Sequence, residues 1–265
     1  MKIIFLGDIV GRSGCLSVKK KLNDIVKKNN INFVIVNGEN AADNGVGITE
    51  KITNQLFDSG VQVITTGNHV WDHKETAELI ENEKRLLRPN NLSSTYPGNG
   101  FEIFKTGGVK IGVLNLMGNV FMKKCEDVFK NSTNFLNKYK LQEDFDFLVV
   151  DFHGEITSEK MGIGHLFDGK ATLVVGTHTH VPTNDCRILF NGTAYLTDAG
   201  MCGDYNSVIG MNKTNSLNRF LKKDSQKHYP AEGEGTLCGL IVECNTSNGL
   251  ANKVESFIKG GELNK

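Results

Sequence analysis

The chain of 265 residues carries 30 lysine and arginine residues against 30 aspartate and glutamate residues, so its formal net charge is +0. This balance excludes a general nucleic-acid coat or a membrane-surface protein, because both classes depend on an excess of positive charge. The apolar stretches are far shorter than the roughly 20 residues of a membrane-spanning helix. The length suits one large domain or two small ones, and because no linker is evident we expect a single domain over 1–265.

Short apolar runs rich in β-branched residues recur along the chain, and each ends at a glycine or a polar cluster. They cover 2–6, 33–36, 61–66, 110–116, 146–150 and 171–175. Such runs predict strands that are buried on both faces. Amphipathic helical patterns lie between several of them, at 16–28, after a Thr49 cap, around Ala77 and Ile80, and around Phe135 and Tyr139. This alternation predicts α/β layers with parallel strand pairing.

The last third of the chain follows a different pattern. Two strands are predicted to meet at Asn191-Gly192 within 187–198, which is a strong hairpin signal, and 236–244 predicts a late strand. We therefore expect a largely parallel first half and a more antiparallel second half. The polar, glycine-rich segment 203–235 is predicted to be a long excursion that forms a lid or the contact of a homo-oligomer.

The first residues and the cysteines bear on where the protein works. Residues 1–10 predict a strand rather than a signal peptide. The 6 cysteines are scattered and contain no CxxC pair, which disfavours a zinc ribbon. We expect a cytoplasmic protein with free thiols.

Side chains that bind metals or move protons follow five of the predicted strands. They are Asp8, Glu39, Asn40, Asn68, His69, His153, His178 and His180. Ligands of open α/β sheets bind at the carboxyl ends of the strands, so we expect these side chains to converge. Taken singly, the aspartate would be a helix cap, the asparagines turn residues and the histidines loop residues. Their recurrence at successive strand ends favours one shared site.

The donor atoms narrow the chemistry of that site. Carboxylates, amides and imidazoles without a thiolate suit manganese, iron, zinc or cobalt. The set exceeds what one catalytic ion needs, so we predict two ions that share a bridging carboxylate. Such pairs hold the attacking and leaving oxygens of phosphate esters and supply hydroxide at neutral pH.

Long motifs identify a family resemblance over essentially the whole chain. They are GDIVGRSG (7–14), NGENAADNGVGIT (37–49), TGNHVWDHKE (66–75), DFHGEITSEKMG (151–162), VGTHTHVPTND (175–185) and TDAGMCGDYNSVIGM (197–211). In these motifs the chain resembles the YmdB-like calcineurin-type metallophosphoesterases, which are similar to 2′,3′-cyclic-nucleotide 2′-phosphodiesterases. The resemblance implies a four-layered α/β/β/α sandwich with mixed sheets and a dinuclear site at the strand ends.

The same resemblance implies a role for each site residue. One metal would be held by Asp8, Glu39, Asn40 and His180. The other would be held by Glu39, Asn68, His153 and His178, with Glu39 as the bridge. His69 would face the scissile phosphate and stabilise the transition state or protonate the leaving oxygen.

Two positions depart from the pattern of the wider superfamily. Val10 stands where the superfamily has the histidine of Asp-x-His, and Glu39 stands where it has aspartate. Both departures are features of the YmdB-like branch. An oxygen-richer first site favours iron or manganese, in two divalent or mixed-valence ions, with zinc as the alternative.

The resulting hypothesis is a metal-dependent phosphodiesterase that cleaves small, cyclic nucleotides with a hydroxide activated by two metals. The balanced charge argues against long nucleic acid as the main substrate. A phosphomonoesterase on the same site and a regulatory protein that binds a nucleotide or a partner are the alternatives. An amidohydrolase is disfavoured because its HxH motif comes early, and a dinucleotide binder is disfavoured because 7–14 is not GxGxxG.

Several residues near these motifs keep two interpretations. Arg12 could bind phosphate or form a surface ion pair, and His73 with Asp72 could lie behind His69 or start a helix. Glu155 could orient a ligand or cap the next segment. Among the histidines outside the motifs, His165 is a candidate to line the pocket, whereas we expect His228 to face solvent.

Overall fold

The computed structural model describes residues 1–223 and 227–263. The predicted segment 203–235 includes 224–226, and the predicted domain 1–265 includes 264–265, which lie outside the described residues. The strands are β1 (Lys2–Leu6), β2 (Asp8–Ile9), β3 (Phe33–Asn37), β4 (Val63–Thr65), β5 (Leu86–Leu87), β6 (Phe101–Thr106), β7 (Val109–Met117), β8 (Phe147–His153), β9 (Leu173–Thr177), β10 (Arg187–Ile188), β11 (Ala194–Leu196), β12 (Met201–Cys202), β13 (Leu237–Cys244) and β14 (Ala251–Lys259). The helices are α1 (Gly11–Asn29), α2 (Glu50–Asp58), α3 (Thr76–Asn82), α4 (Val128–Lys138), α5 (Thr157–Phe167) and α6 (Lys213–Phe220).

Two mixed sheets form the centre of the fold. The first has the strand order β14-β13-β1-β3-β4-β5, and the second has the order β10-β11-β9-β8-β7-β6. Strands β1, β3, β4 and β5 pair in parallel, as do β7, β8, β9 and β11. The antiparallel pairs lie at the outer strands: β13 and β14 in the first sheet, β10 and β6 in the second.

The predicted change from a largely parallel first half to a more antiparallel second half is therefore confirmed in part, since β10, β13 and β14 from the last third of the chain pair antiparallel. Strands β8, β9 and β11 continue a parallel sheet, and the antiparallel β6–β7 hairpin lies in the first half. The physical reason is that the crossover helices α4 and α5 connect β7 to β8 and β8 to β9, and such connections pair strands in parallel whichever half of the chain supplies them.

The alternation of side chains along the inner strands produces four layers. In β1, Ile4 and Leu6 pack on the side of α1 and α2, whereas Ile3 and Phe5 face the second sheet. In β8, Phe147 and Val149 face the first sheet, whereas Leu148 and Val150 pack beneath α4 and α5. The predicted α/β/β/α sandwich with mixed sheets is confirmed.

Most predicted elements are present, with different boundaries. The Thr49 hydroxyl accepts a hydrogen bond from the Ile52 amide at 3.4 Å and caps α2 as predicted. Helix α1 begins at Gly11 rather than at residue 16, because a glycine-rich start carries no apolar stripe to mark it. Strands β5, β6 and β14 lie outside the predicted elements. Strands β6 and β14 are only partly buried, so their sequences contain no continuous apolar run. Within the described residues, no helix is long and apolar enough to cross a bilayer.

The core between the two sheets should carry much of the stability. Phe147 is fully buried there, whereas Phe190, on the hairpin after β10, is 101% exposed. We expect Phe147→Ala to lower the free energy of unfolding by about 3–5 kcal/mol through lost burial and a residual cavity. The matched change Phe190→Ala should leave it within about 0.5 kcal/mol of the parent value. Urea denaturation of both variants measures the difference, and equal effects would contradict this packing.

Candidate metal centre

The carboxyl ends of strands from both sheets meet at one edge of the sandwich. In the first sheet, Asp8 follows β1, Glu39 and Asn40 follow β3, and Asn68 and His69 follow β4. In the second sheet, His153 ends β8, and His178 and His180 follow β9. The structure thus brings the sequence-predicted side chains together from two sheets, because the parallel strands of both sheets end at this edge.

One group of these side chains surrounds a single ring nitrogen of His153. Its Nε2 atom lies 2.9 Å from Oε1 of Glu39, 3.1 Å from Oδ1 of Asn68 and 3.0 Å from Nδ1 of His178. Glu39 and His153 are buried, and His178 is partly buried. This is the quartet predicted to hold the second metal.

A second group lies beside the first. The His180 Nε2 atom is 3.3 Å from Oδ1 of Asn40 and 3.9 Å from Oδ1 of Asp8. Asp8 also lies next to the first group, since its Oδ1 atom is 3.7 Å from Nδ1 of His153 and its Oδ2 atom accepts the His178 amide at 3.0 Å. Oε2 of Glu39 accepts the backbone amide of His69 at 3.1 Å, and its bridging role stays a prediction.

In each of the three clustered imidazoles, one ring nitrogen contacts a polar group outside the cluster and so fixes the orientation of the ring. Nδ1 of His180 donates to the Ile209 carbonyl at 2.8 Å, which fixes a bare Nε2. Nε2 of His178 faces Glu155 at 3.2 Å, which leaves Nδ1 free of a proton. Nδ1 of His153 donates to the Thr177 hydroxyl at 2.9 Å. The other ring nitrogen of each imidazole, which is Nε2 in His153 and His180 and Nδ1 in His178, therefore points toward the group, as the orientation of metal-binding histidines requires.

The pKa values show how strongly these groups act on one another. Burial raises the pKa of Glu39, but the charge and hydrogen bond of His153, together with the charge and backbone amide of His69, outweigh burial and lower the pKa to about 2. Burial lowers the pKa of His153, but Glu39, Asp8 and Asp151 raise it to about 9. Burial and the neighbouring His153 lower the pKa of His178 to about 3, so His178 is neutral at physiological pH. At physiological pH an ionised Glu39 is therefore paired with a charged His153, beside a neutral His178.

The donor set fits a bound cation. Oδ1 of Asp8 is fully buried and has no hydrogen-bond partner, although an unpaired buried carboxylate oxygen is costly. The Nε2 atom of His153 lies within hydrogen-bond distance of acceptor atoms of Glu39 and Asn68 and of the bare His178 nitrogen, and one proton can serve only one of them. A divalent cation would satisfy all of these atoms at once.

His69 lies at the edge of the group and is held by a chain of charges. Its Nδ1 atom donates to Oδ2 of Asp72 at 2.7 Å, and Oδ1 of Asp72 accepts from Lys123 at 3.2 Å. Burial raises the pKa of Asp72, but these two hydrogen bonds lower it overall. The interpretation that Asp72 lies behind His69 is correct, whereas His73 instead contacts the Val46 carbonyl at 2.9 Å.

Asp151, a buried carboxylate that accepts several hydrogen bonds beneath the site, was not identified from the sequence. Asp151 is buried and accepts from Asn37 at 3.0 Å, from Thr65 at 2.5 Å and from Thr177 at 2.7 Å. Burial raises the pKa of Asp151 to about 6, against the lowering effect of His153. Asn37 and Thr65 belong to the first sheet and Asp151 to the second, so this contact joins the two sheets. The alternation Asp151-Phe152-His153 in a strand, which puts both polar side chains on the inner face, was the available signal.

The turn that carries His178 and His180 is strained and braced. His178 has φ 98° and His180 has φ 66°, and such left-handed backbone costs a non-glycine residue roughly 1–2 kcal/mol. The buried Lys160 donates to the Thr177 carbonyl at 2.8 Å and to Asp198 at 2.5 Å. Asp198 also accepts the Thr179 hydroxyl at 2.8 Å. These bonds hold the two histidines in a conformation that the free chain would avoid.

A cavity of about 390 Å³ opens above the cluster. Its lining residues are Val10, Glu39, Asn40, Gly45, Val46, His69, Glu155, His178, Thr179, His180, Ile209, Met211 and His228. His228 is exposed as expected, and it also lines the cavity because the nearby Pro230 pairs with Met211, another residue of the cavity wall. Arg12 and His165 are not among the lining residues: Arg12 faces neighbouring surface cavities, and His165 is exposed on α5.

Comparisons with known proteins agree with this arrangement. The family model described as YmdB-like protein matches residues 4–257. A 2′,3′-cyclic-nucleotide 2′-phosphodiesterase of Bacillus subtilis (strain 168) is 40% identical over 258 residues, which are 97% of this chain and 97% of that protein. A protein named putative phosphatase/phosphodiesterase MG246, from Mycoplasma genitalium, is 36% identical over 262 residues, covering 97% of this chain and 92% of its own.

Solved structures show the same fold. A crystal structure of a novel phosphatase from Mycoplasma pneumoniae matches with a TM-score of 0.90 and 36% identity, covering 98% of this chain and 93% of its own. A hypothetical protein from Thermus thermophilus matches with the same TM-score of 0.90 and 36% identity, covering 98% of this chain and 99% of its own. A putative 5′-nucleotidase from Staphylococcus aureus has a TM-score of 0.60 at 15% identity, covering 97% of this chain and 54% of its own, and shares the fold alone.

The hydroxyl of Thr177 should matter for cation binding, because it links His153 to Asp151. We expect Thr177→Val to weaken Mn²⁺ binding about 10–100-fold, as for other lost partners of metal-binding histidines. The matched change Thr172→Val removes a buried, hydrogen-bonded hydroxyl at the opposite end of β9 and should leave affinity unchanged. Calorimetric titration with Mn²⁺ compares the two, and equal affinities would contradict the role of Thr177.

Proposed function

Because the chain belongs to the YmdB-like protein family, we propose that it is a metal-dependent phosphodiesterase that hydrolyses small, cyclic nucleotides. The observation that carries the proposal is the convergence of three tethered imidazoles and the unpaired oxygen of Asp8 below one cavity. Such a set of donors, aimed at one point beneath an open pocket, is suited to cation-assisted hydrolysis of a phosphate ester.

Two ions would be held by the residues that the sequence indicates. Asp8, Asn40 and His180 with Glu39 would hold one, and Glu39, Asn68, His153 and His178 the other. When bound, the ions supply Lewis-acid stabilisation of the phosphate oxygens and a hydroxide nucleophile at neutral pH. The prevalence of oxygen donors beside imidazole, and the lack of a thiolate, favours iron or manganese over zinc.

His69 would act on the leaving oxygen. It lines the cavity, and Asp72 binds its Nδ1 atom, so its Nε2 atom is the one available to the substrate. A protonated Nε2 can donate to the ester oxygen that departs, and the Asp72 carboxylate stabilises that imidazolium. Lys123 holds Asp72 in place for this task.

The size of the cavity supports a small substrate. A volume of about 390 Å³ is within the range of pockets that enclose single small molecules. The name of the Bacillus relative supports a cyclic nucleotide as the substrate, and that of the Mycoplasma relative supports a phosphate ester. The proposal includes a single domain over 1–265, a cytoplasmic location and a homo-oligomer that uses 203–235.

Metal content and diesterase activity together test this function. We expect protein purified without chelator to hold about two equivalents of iron or manganese and to cleave bis-p-nitrophenyl phosphate. Glu39→Gln should lose metal and activity together, because the buried carboxylate is the predicted bridge, whereas Glu50→Gln at the exposed start of α2 should retain both. Elemental analysis and turnover are measured on the same samples.

The negative outcomes separate the alternatives. Faster cleavage of p-nitrophenyl phosphate than of the diester would support a phosphomonoesterase on the same site. No metal, and no activity after addition of manganese or iron, would overturn the enzyme and favour a regulatory binding protein.

The role of His69 predicts a split between metal and turnover. We expect His69→Ala to lower kcat on the diester about 10²–10⁴-fold, the usual contribution of a general acid, while metal content stays near that of the parent. His165→Ala, which removes an exposed histidine of α5 outside the cavity, should change neither quantity. Release of both ions by His69→Ala would show that His69 is a metal ligand instead.

A further inference from the structure

One wall of the cavity is apolar and faces the metal-binding side chains. It consists of Val10, Val46, Ile209 and Met211. Val10 and Met211 are 2% and 8% exposed, whereas Ile209 is 57% exposed. Ile209, with the half-buried Val46, therefore supplies most of the apolar surface that a ligand could cover.

Ile209 holds an unfavourable backbone conformation at this wall. Val208 and Met211 exchange two backbone hydrogen bonds of 2.9 Å, and the residues between them have positive φ, 48° at Ile209 and 94° at Gly210. This is the pattern of a type I′ turn, whose first central position strongly favours asparagine, aspartate or glycine. A β-branched residue is an outlier there.

The contact with the metal centre does not explain an isoleucine. The Ile209 carbonyl accepts the Nδ1 proton of His180 at 2.8 Å, which fixes the orientation of that ring. Glycine would place the same carbonyl without the clash of a Cβ atom. The contact with His180 therefore does not account for the strained backbone of Ile209. The isoleucine side chain itself must serve a purpose at this position.

We propose that Ile209 and Val46 form a platform that binds the nucleobase of the substrate. This inference rests on the proposed function and assigns a specificity-determining role within the same cavity. With the phosphate at the metal-binding residues, the group attached to it would lie across the apolar wall. Burial of a flat base against an aliphatic side chain gives affinity without a strict choice among bases.

The charges around the cavity favour an uncharged group at this position. The lining residues include the carboxylates of Glu39 and Glu155, and the described lining residues include no lysine or arginine. A second phosphate beyond the first would lie near carboxylates with no cation to pair with it. A nucleobase carries no such charge. The imidazole of His228, which lines the same cavity, can donate a hydrogen bond to the edge of the base or accept one from it.

Two substrates that differ only in the base test the platform. Adenosine 2′,3′-cyclic phosphate is compared with 1-O-methylribose 2,3-cyclic phosphate, which has the same phosphodiester and no base. We expect Ile209→Gly to lower the ratio of kcat/KM between the two about tenfold, mainly through KM for the nucleotide. Calorimetric binding of adenosine 3′-monophosphate should weaken by a similar factor, while the thermal midpoint stays the same or rises.

Two further variants keep the result interpretable. Ile209→Asn accepts the left-handed backbone but offers no aliphatic surface, so it should repeat the loss seen with glycine. Gln142→Gly relieves a similar conformation, φ 69°, between α4 and β8, at the opposite end of β8 from His153, and should leave the ratio unchanged.

Three outcomes would count against the platform or the function beneath it. An equal loss on both substrates would show that the Ile209 side chain does not act through the base, and no loss would show that the base binds elsewhere. If the wild-type protein cleaves neither compound, the proposed function fails. The binding comparison then decides the platform by itself, and unchanged affinity for adenosine 3′-monophosphate would overturn it.

Discussion

The site depends on one buried carboxylate that does not line the cavity. Asp151, in the second sheet, accepts hydrogen bonds from Asn37 and Thr65 of the first sheet and from Thr177 of its own. These bonds fix the two sheets relative to each other at the edge where all the candidate ligands emerge. Because a metal site tolerates errors of only a fraction of an ångström, this polar contact between the sheets, with that of the Thr66 amide to Asn115 at 3.0 Å, helps to place His153 beside Glu39.

Several unfavourable conformations are held in place by that rigid base. His178, His180 and Ile209 all have positive φ, and each would relax if its surroundings allowed it. Lys160 and Asp198 brace the histidine turn from below, and the Val208–Met211 turn closes over it. The packing of the four layers thus stabilises backbone conformations that are unfavourable by themselves. Such conformations are common at sites whose side chains are oriented before a ligand binds.

The sequence predicted the apolar strands well, and the structure brings together the side chains at their ends, whose roles stay predictions. Buried parallel strands appear in the sequence as short apolar runs that end at glycine or polar residues. This pattern identified Asp8, Glu39, Asn68, His153 and His178 as candidates. It did not predict the pairing of the outer strands, since β6 and β14 are only partly buried and their alternation is weak. Nor did it indicate that His228 lines the cavity, because a loop residue carries no periodic signal of the surface it will face.

The amino-acid sequence by itself determined the alternation of strands and helices in α/β layers, the chemical types of the candidate ligands and their positions at strand ends, because these follow from local periodicity and residue chemistry. Only the tertiary structure decided which nitrogen of each imidazole faces the centre, since that depends on partners distant in the chain: Thr177 for His153, Glu155 for His178 and Ile209 for His180. Hydrogen bonds between segments far apart in sequence leave no local pattern, and they set the geometry on which the chemistry rests.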